Sequence, residues 1–318
     1  MTEGDRPARI LISGGSGAVG HCVVRELLDA TDAVLVLLAR PTSSLPDEVT
    51  RHPRVTLCVG DLAEGSALAT RLPRIDRAVL LATSWGPDAD AVNAVGTVDL
   101  VAALRARGAA QVIWFGTASV VRPDGSADPA ALAEGTPYVR TKAQCHALLR
   151  EHHPEGLTSV HPTLVVAGDR LAPASHLTRL LHEIDRRIWL AQWIRGEGSC
   201  HMVHAEDLAR LVRQLVTRPP HEAPQEIIAG APAVTLDELL DLVRERSGRR
   251  RRRSIDLTPT RIEWLIRAFS VKLSPWDRRC VASRHFTYRD ACLTLIPSEP
   301  PRYPTTRAII AAVPRRRS

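Results

Sequence analysis

Apolar residues fall in short unbroken runs, separated by longer stretches in which they recur every three or four positions. Runs at 8–12, 33–39, 55–59, 77–82 and 111–116 read as strands. Between them, 19–28 and 93–107 carry helical spacing, the second through Val95, Val98, Leu100, Val101 and Leu104. The run AVLVLLA at 33–39 has no polar alternation, as a strand buried on both faces of a parallel sheet requires. Strand–helix alternation with short connections predicts an α/β fold built on a doubly wound parallel sheet. Further helices are expected over 138–149, 171–187, 205–216 (through Leu208, Leu211, Val212 and Leu215), 236–246 behind a Thr235 cap, and 261–270.

Ligands of such sheets bind beyond the carboxyl ends of the strands, so the residues ending each run are the candidates: Ser13, Arg40, Asp61, Ala82 and Thr117. The first of these ends opens into Gly14-Gly15-Ser16-Gly17-Ala18-Val19-Gly20, a glycine turn between strand and helix. A backbone this bare approaches a pyrophosphate closely, and the helix start offers free N–H groups. The spacing reads G-x-x-G-x-x-G rather than the usual G-x-G-x-x-G, and a glycine-rich turn without a ligand is the plainer reading. Arg40 ends the second strand twenty residues after Gly20, with no acid before Asp47. An acid there suits the ribose hydroxyl of NAD, and an arginine the 2′-phosphate of NADP, so NADP(H) is favoured over NAD(H). A solvent-facing arginine is the other reading, since 40 of the 42 basic residues are Arg.

Thr117-Ala118-Ser119 ends the fifth strand, and Tyr138-Val139-Arg140-Thr141-Lys142 opens the next helix. Four residues apart, Tyr138 and Lys142 share a helix face. An ammonium near the phenol favours phenolate and makes Tyr138 a usable general acid or base. With three tyrosines and two lysines in the chain, a chance pair at this spacing is rare.

Length, charge and cysteine usage narrow the class. The 318 residues can bury a large core, and the net charge of +7 suits an anionic partner such as a phosphate-bearing cofactor. Six cysteines form no C-x-x-C pair or zinc pattern, and no metal is expected; Cys200, His201 and His204 resemble ligands only faintly. No signal-like N-terminus and no apolar run long enough for a bilayer is present, so a cytoplasmic protein without membrane contact is expected. The run Arg249 to Arg253 lacks aromatic interleaving and reads as a solvated connection rather than a nucleic-acid site; the tail Arg315 to Arg317 reads as disordered.

Taken together these motifs resemble the extended short-chain dehydrogenase/reductases, the NAD(P)-dependent epimerase/dehydratase-like group, over about 8–230. The resemblance rests on the glycine turn, Gly60-Asp61-Leu62, the helix from Asn93, Thr117-Ala118-Ser119, Tyr138 to Lys142, His161-Pro162-Thr163, and the stretch from Met202 to Ala209. It implies a Rossmann-type domain over 1–170, with 203–230 returning to it, and a smaller C-terminal substrate-binding lobe from 171–202 and 231–318. Tyr138 would exchange a proton with the substrate oxygen, Thr117 would hydrogen-bond that oxygen, and Lys142 would hold the nicotinamide ribose. Asp61 and Leu62 would lie at the adenine, Ala82 and Thr83 beside the cofactor, and Pro162 and Thr163 beside the nicotinamide. Ala118 and Ser119 stand where related 4,6-dehydratases carry acids, which argues against sugar dehydration. Phe115-Gly116 and Val121-Arg122 also depart from the family pattern.

The expected function is an NADP(H)-dependent ketoreductase or alcohol dehydrogenase acting on a small-molecule substrate. A nucleotide-sugar epimerase that retains its cofactor, or a cofactor-binding regulator without turnover, are the alternatives. A homodimer is what the resemblance suggests. Trp189, Trp193, Trp264 and Trp276 in the C-terminal segments either pack the smaller lobe or wall a flat or hydrophobic substrate.

Overall fold

The structure is a computed structural model that describes residues 6–168, 172–186, 194–248, 255–258, 260–261 and 272–314. Seven parallel strands form the central sheet: β1 (Arg9–Ser13), β2 (Val34–Ala39), β3 (Val55–Val59), β4 (Arg77–Leu80), β5 (Gln111–Phe115), β6 (Leu157–Pro162) and β7 (Glu226–Ala229). Their spatial order is β7-β6-β5-β4-β1-β2-β3, so the order reverses between β1 and β4. The longer helices are α1 (Ala18–Ala30), α2 (Thr97–Ala106), α3 (Pro137–His152), α4 (His176–Arg186), α5 (Ala205–Thr217) and α6 (Leu236–Arg246). This is the expected α/β Rossmann-type sheet with helices on both faces.

Two apolar layers explain the unbroken strand runs. Ile10, Ile12, Leu35 and Leu37 face α1 and α5, while Leu11, Val36 and Leu38 face α2 and α3 on the other side. Period two thus sends successive side chains into opposite cores. β3 is the exception. It lies at the sheet edge, and Leu57 and Val59 are exposed there.

Beyond Pro162 the chain builds smaller pieces around the sheet. Leu164–Val166 pairs with Met202–His204. Ser199–Cys200 pairs with both Val234–Thr235 and His285–Phe286. Thr235 caps α6 as expected, in a reciprocal box with Glu238. Asp207, in the first turn of α5, is buried and accepts the backbone N–H groups of Arg302 (2.6 Å) and Tyr303 (3.1 Å), which ties the C-terminal segment to the core.

The segment from Asn93 departs from the regular helix its spacing predicts. Ala91–Gly96 is a π-helical turn before α2, with the Thr97 hydroxyl donating to the Val92 carbonyl at 2.7 Å. The wider turn takes Val95 out of the apolar stripe, and it is 55% exposed. Gly96 is required where the turn crosses the short helical turn Leu62–Glu64 after β3: a Cβ there would lie 2.1 Å from the Leu62 carbonyl oxygen.

Asp169, Trp189, Trp193, Trp264, the Arg249 to Arg253 run, the Arg315 to Arg317 tail and nearly all of the helix expected over 261–270 lie outside the described residues. Among the described residues, no helix is long and apolar enough to cross a membrane.

Candidate active site

The residues singled out in the sequence gather at the carboxyl ends of six neighbouring strands. The glycine turn follows β1, Arg40 follows β2, and Asp61 and Leu62 follow β3. Ala82 and Thr83 follow β4, Thr117 follows β5, and Pro162 and Thr163 close β6.

The glycine turn is built for close backbone approach. Gly14 has φ +77°, and a Cβ there would sit 2.7 Å from the Ala82 backbone nitrogen. A Cβ at Gly20 would lie 2.1 Å from the Gly14 oxygen, so α1 packs directly on the turn. The Gly17 N–H donates to the Gly14 carbonyl at 3.0 Å, and α1 begins at Ala18 with no side chain capping its first turn. Ser16 stands half-buried in the turn, and Ala18 and Val19 pack their side chains on the core. The uncapped amide groups and the positive helix end fit a pyrophosphate.

Arg40 is exposed and, among the described residues, pairs with no carboxylate within 4 Å. Its field reaches Asp88, whose carboxyl is held below the usual range first by the Ser84 hydroxyl and less by Arg40. Asp61 caps the short helix after β3 by accepting the Ala63 N–H at 2.9 Å. Leu62 is buried in the core, which leaves its backbone rather than its side chain toward the sheet end. Thr83 donates to the Asn93 side-chain carbonyl at 3.0 Å.

Tyr138, at the start of α3, has the Thr117 hydroxyl beside its phenol, close enough to draw it toward phenolate. Thr136 caps α3 and Pro137 fills its first position, which presents Tyr138 at the helix end nearest β5. Lys142 is buried one turn on, and its Nζ donates to the Phe115 carbonyl at 2.8 Å. The ammonium lies 5.2 Å from the centre of the Trp114 ring.

The pair thus sits as the spacing predicts, but its electrostatics differ from the expectation. The Tyr138 phenol is pushed up to about 12, because burial outweighs the opposing pull of the Thr117 hydroxyl. Lys142 is itself pushed down to about 8 by burial, and its Nζ bonds the Phe115 carbonyl rather than supporting a phenolate. The resting acid–base group is a neutral phenol, poised to donate.

Three contributors were not legible in the sequence as parts of the site. Trp85 stacks on the Tyr138 ring with centroids 3.7 Å apart and planes 12° apart, while itself 59% exposed. His176, at the start of α4, lies against the other side chain of this pair, 5.3 Å from the Trp85 ring. Asn93 is fully buried and cross-links three segments: it accepts from Ser84 N–H at 2.7 Å, and donates to the Ser84 carbonyl at 2.8 Å and to Thr141 on α3 at 3.1 Å. The one signal for it was an amide in an otherwise apolar helical stretch. Of the C-terminal tryptophans, Trp276 packs with Tyr288 in the apolar cluster that includes Tyr138.

Both histidines of the faint ligand trio bond backbone groups. His201 meets the Ala231 carbonyl at 2.7 Å through Nδ1 and the Tyr288 N–H at 3.0 Å through Nε2. His204 accepts the Glu206 N–H at 3.3 Å as the cap of α5.

Comparison with known proteins agrees with this geometry. A 3-beta-hydroxysteroid dehydrogenase of Mycolicibacterium neoaurum is 30% identical over 125 residues, which cover 36% of this chain and 33% of that protein. The match therefore spans about a third of the relative's length. A dTDP-glucose 4,6-dehydratase from Bacillus anthracis, solved in complex with NAD, superposes with a TM-score of 0.69 at 13% identity, covering 96% of this chain and 95% of that one. A UDP-N-acetylglucosamine 4-epimerase from Methanobrevibacter ruminantium gives 0.60 at 15% identity, over 79% and 85% of the two chains. These structures share the fold. The family model for the NAD dependent epimerase/dehydratase family matches residues 10–230, the span that carries both the glycine turn and the Thr117–Tyr138–Lys142 group, and the chain belongs to that family.

Proposed function

We propose that this protein is an NADP(H)-dependent ketoreductase or alcohol dehydrogenase acting on a small apolar metabolite. The observation that carries the reading is the Tyr138 phenol beside the Thr117 hydroxyl at the carboxyl end of β5, with Lys142 buried one helical turn behind it. A nicotinamide dinucleotide, when bound, supplies or accepts the hydride. Tyr138 holds the proton that passes to the substrate oxygen, and the Thr117 hydroxyl steadies the negative charge that develops there. Gly14 and the first turn of α1 offer N–H groups to the pyrophosphate, and Lys142 offers an ammonium to the ribose. Ala118 is buried in an apolar cluster and Ser119 donates its N–H to Thr117, so neither position brings the extra acid that dehydration needs.

The test is a carbonyl panel assayed with NADPH. Oxidised cofactor should appear mole for mole with alcohol; turnover with the cofactor returned unchanged would replace this reading by epimerisation. Arg40 makes a sharper prediction. Arg40→Asp should reverse the cofactor preference, lowering kcat/KM for NADPH at least tenfold and raising that for NADH, with an unchanged melting temperature. An unaltered NADPH/NADH ratio would remove Arg40 from the cofactor site.

Trp85 supports an apolar substrate. One face of its ring covers Tyr138, which packs on the cluster holding Trp276 and Tyr288, while the rest of the side chain stays open to solvent. Trp85→Ala should raise KM about tenfold for bulky apolar ketones, roughly 1.4 kcal/mol of binding, while changing it less than threefold for a three-carbon ketone. Equal effects on both substrates would take Trp85 out of the substrate wall.

A further inference from the structure

Tyr138, Lys142, His146 and Arg150 follow one another at four-residue spacing and form a single stripe along α3. The upper two belong to the active site. The lower two converge on one carboxylate, that of Glu226 on the edge strand β7. Its Oε1 lies 3.0 Å from His146 Nε2 and 2.9 Å from Arg150 Nη1, and its Oε2 lies 2.7 Å from His161 Nε2.

We propose that Glu226 is a positioning residue: it fixes the tautomer of His161 and anchors the α3 stripe, and so sets the backbone from Phe115 to Thr117 that receives Lys142 and carries the catalytic hydroxyl. A carboxylate only accepts hydrogen bonds, so both histidines must carry their proton on Nε2. Glu226 is held ionised: burial pushes its pKa upward, but the two imidazoles outweigh it and bring it down to about 2. His161 is held below its usual value by burial and stays neutral. That leaves its Nδ1 buried and unprotonated, turned toward the Thr117 backbone but with no partner at full hydrogen-bond geometry.

This bare atom faces the catalytic backbone. A Cβ on Gly116 would lie 2.8 Å from His161 Nδ1 and 2.7 Å from the Trp114 ring. The chain between the Lys142 acceptor and Thr117 therefore rests on the imidazole with nothing between them. Trp114 completes the link, lying nearly parallel to His146 (7°, 5.8 Å), edge-on to His161 (80°, 6.1 Å) and beneath the Lys142 ammonium. Placing a proton on Nδ1 instead would turn this ring edge into a donor toward the Thr117 backbone and change how the ring and that backbone meet.

Two histidines and a glutamate also make a metal donor set. Here each Nε2 is aimed at its own carboxylate oxygen, and a guanidinium shares one of them, which favours a hydrogen-bonded cluster over a cation.

The proposal rests on the reductase reading for its kinetic arm only. Glu226→Gln offers one acceptor and one donor, so the two Nε2 atoms can no longer both donate. In a folded variant, kcat should fall at least tenfold while KM for the ketone and Kd for the cofactor change less than threefold. Long-range 15N–1H spectra should show His161 as the Nε2–H tautomer in the native protein and as a mixture or the other tautomer in the variant. That native-protein measurement needs neither turnover nor a folded variant. An Nδ1–H tautomer in the native protein, an unchanged kcat in the folded variant, or stoichiometric zinc in the purified protein that Glu226→Gln abolishes, would each overturn the proposal.

Discussion

Tyr138→Phe should abolish carbonyl reduction while leaving the protein folded and able to bind its cofactor. The loss expected is about 10²- to 10⁴-fold in kcat, the range for removing a positioned proton donor. Phenylalanine keeps the ring that stacks on Trp85 and packs in the cluster with Trp276, so stability should move by less than about 1 kcal/mol. The group it removes is the phenol hydroxyl beside Thr117. Steady-state rates, cofactor titration by fluorescence and a melting curve separate these effects. Reduction that survives undiminished would place the proton donor elsewhere and sink the assignment. The pH dependence follows from the same group. With the phenol at about 12, the acid form persists from neutrality to above pH 10, so an alkaline fall in reduction centred near pH 7 would contradict a neutral Tyr138 donor.

Lys142→Met should do the opposite to stability and the same to activity. Burial lowers the Lys142 pKa from 10.5 to about 8, so the unfolded chain holds this proton more tightly than the folded one. The folded state therefore carries a penalty that is complete below about pH 8, roughly 3 kcal/mol, and that fades as pH rises through 8 to 10.5. Methionine removes the penalty but leaves the Phe115 carbonyl without its donor, which costs back about 1–3 kcal/mol. The expected balance is a melting temperature higher by a few degrees at pH 7, a smaller gain or a loss at pH 10, and catalysis reduced at least a hundredfold. Calorimetry at the two pH values checks it. A variant destabilised equally at both would mean that the charge is not under strain in the fold.

Strands and the chemistry of single turns were legible in the sequence because each depends on residues close together in the chain. Leu35, Val36, Leu37 and Leu38 read as a strand buried on both faces, and they divide between the two cores as that run requires. Gly14 and Gly20 were readable because only glycine fits against the Ala82 backbone and the Gly14 carbonyl. Tyr138 and Lys142 were readable by spacing alone. What the spacing missed was the environment. Spacing shows Lys142 drawing Tyr138 toward phenolate, but not the burial that raises Tyr138 and lowers Lys142. Trp85 sits in a loop with no periodic neighbours, and only the tertiary fold brings it onto Tyr138. Glu226 is 65 residues from His161 and 80 from His146, so no local pattern joins them. Leu57 and Val59 look like core residues until the strand order puts β3 at an edge.

The π-helical turn at Ala91–Gly96 has a consequence for how this region can change. One extra residue in a helical turn rotates everything before it by about 100° relative to everything after. In the first half of the turn, Asn93 aims at Ser84 and Thr141; beyond the turn, Leu100, Val101 and Leu104 are locked in the core. The two halves run in different phases of the same screw. Removing Val95 would bring them into phase, and no rotamer change could then return the Asn93 amide to the three segments it joins. Point substitutions on the core side leave that aim untouched, so the phase offset lets the packing of α2 drift while the grip on the catalytic helix stays fixed.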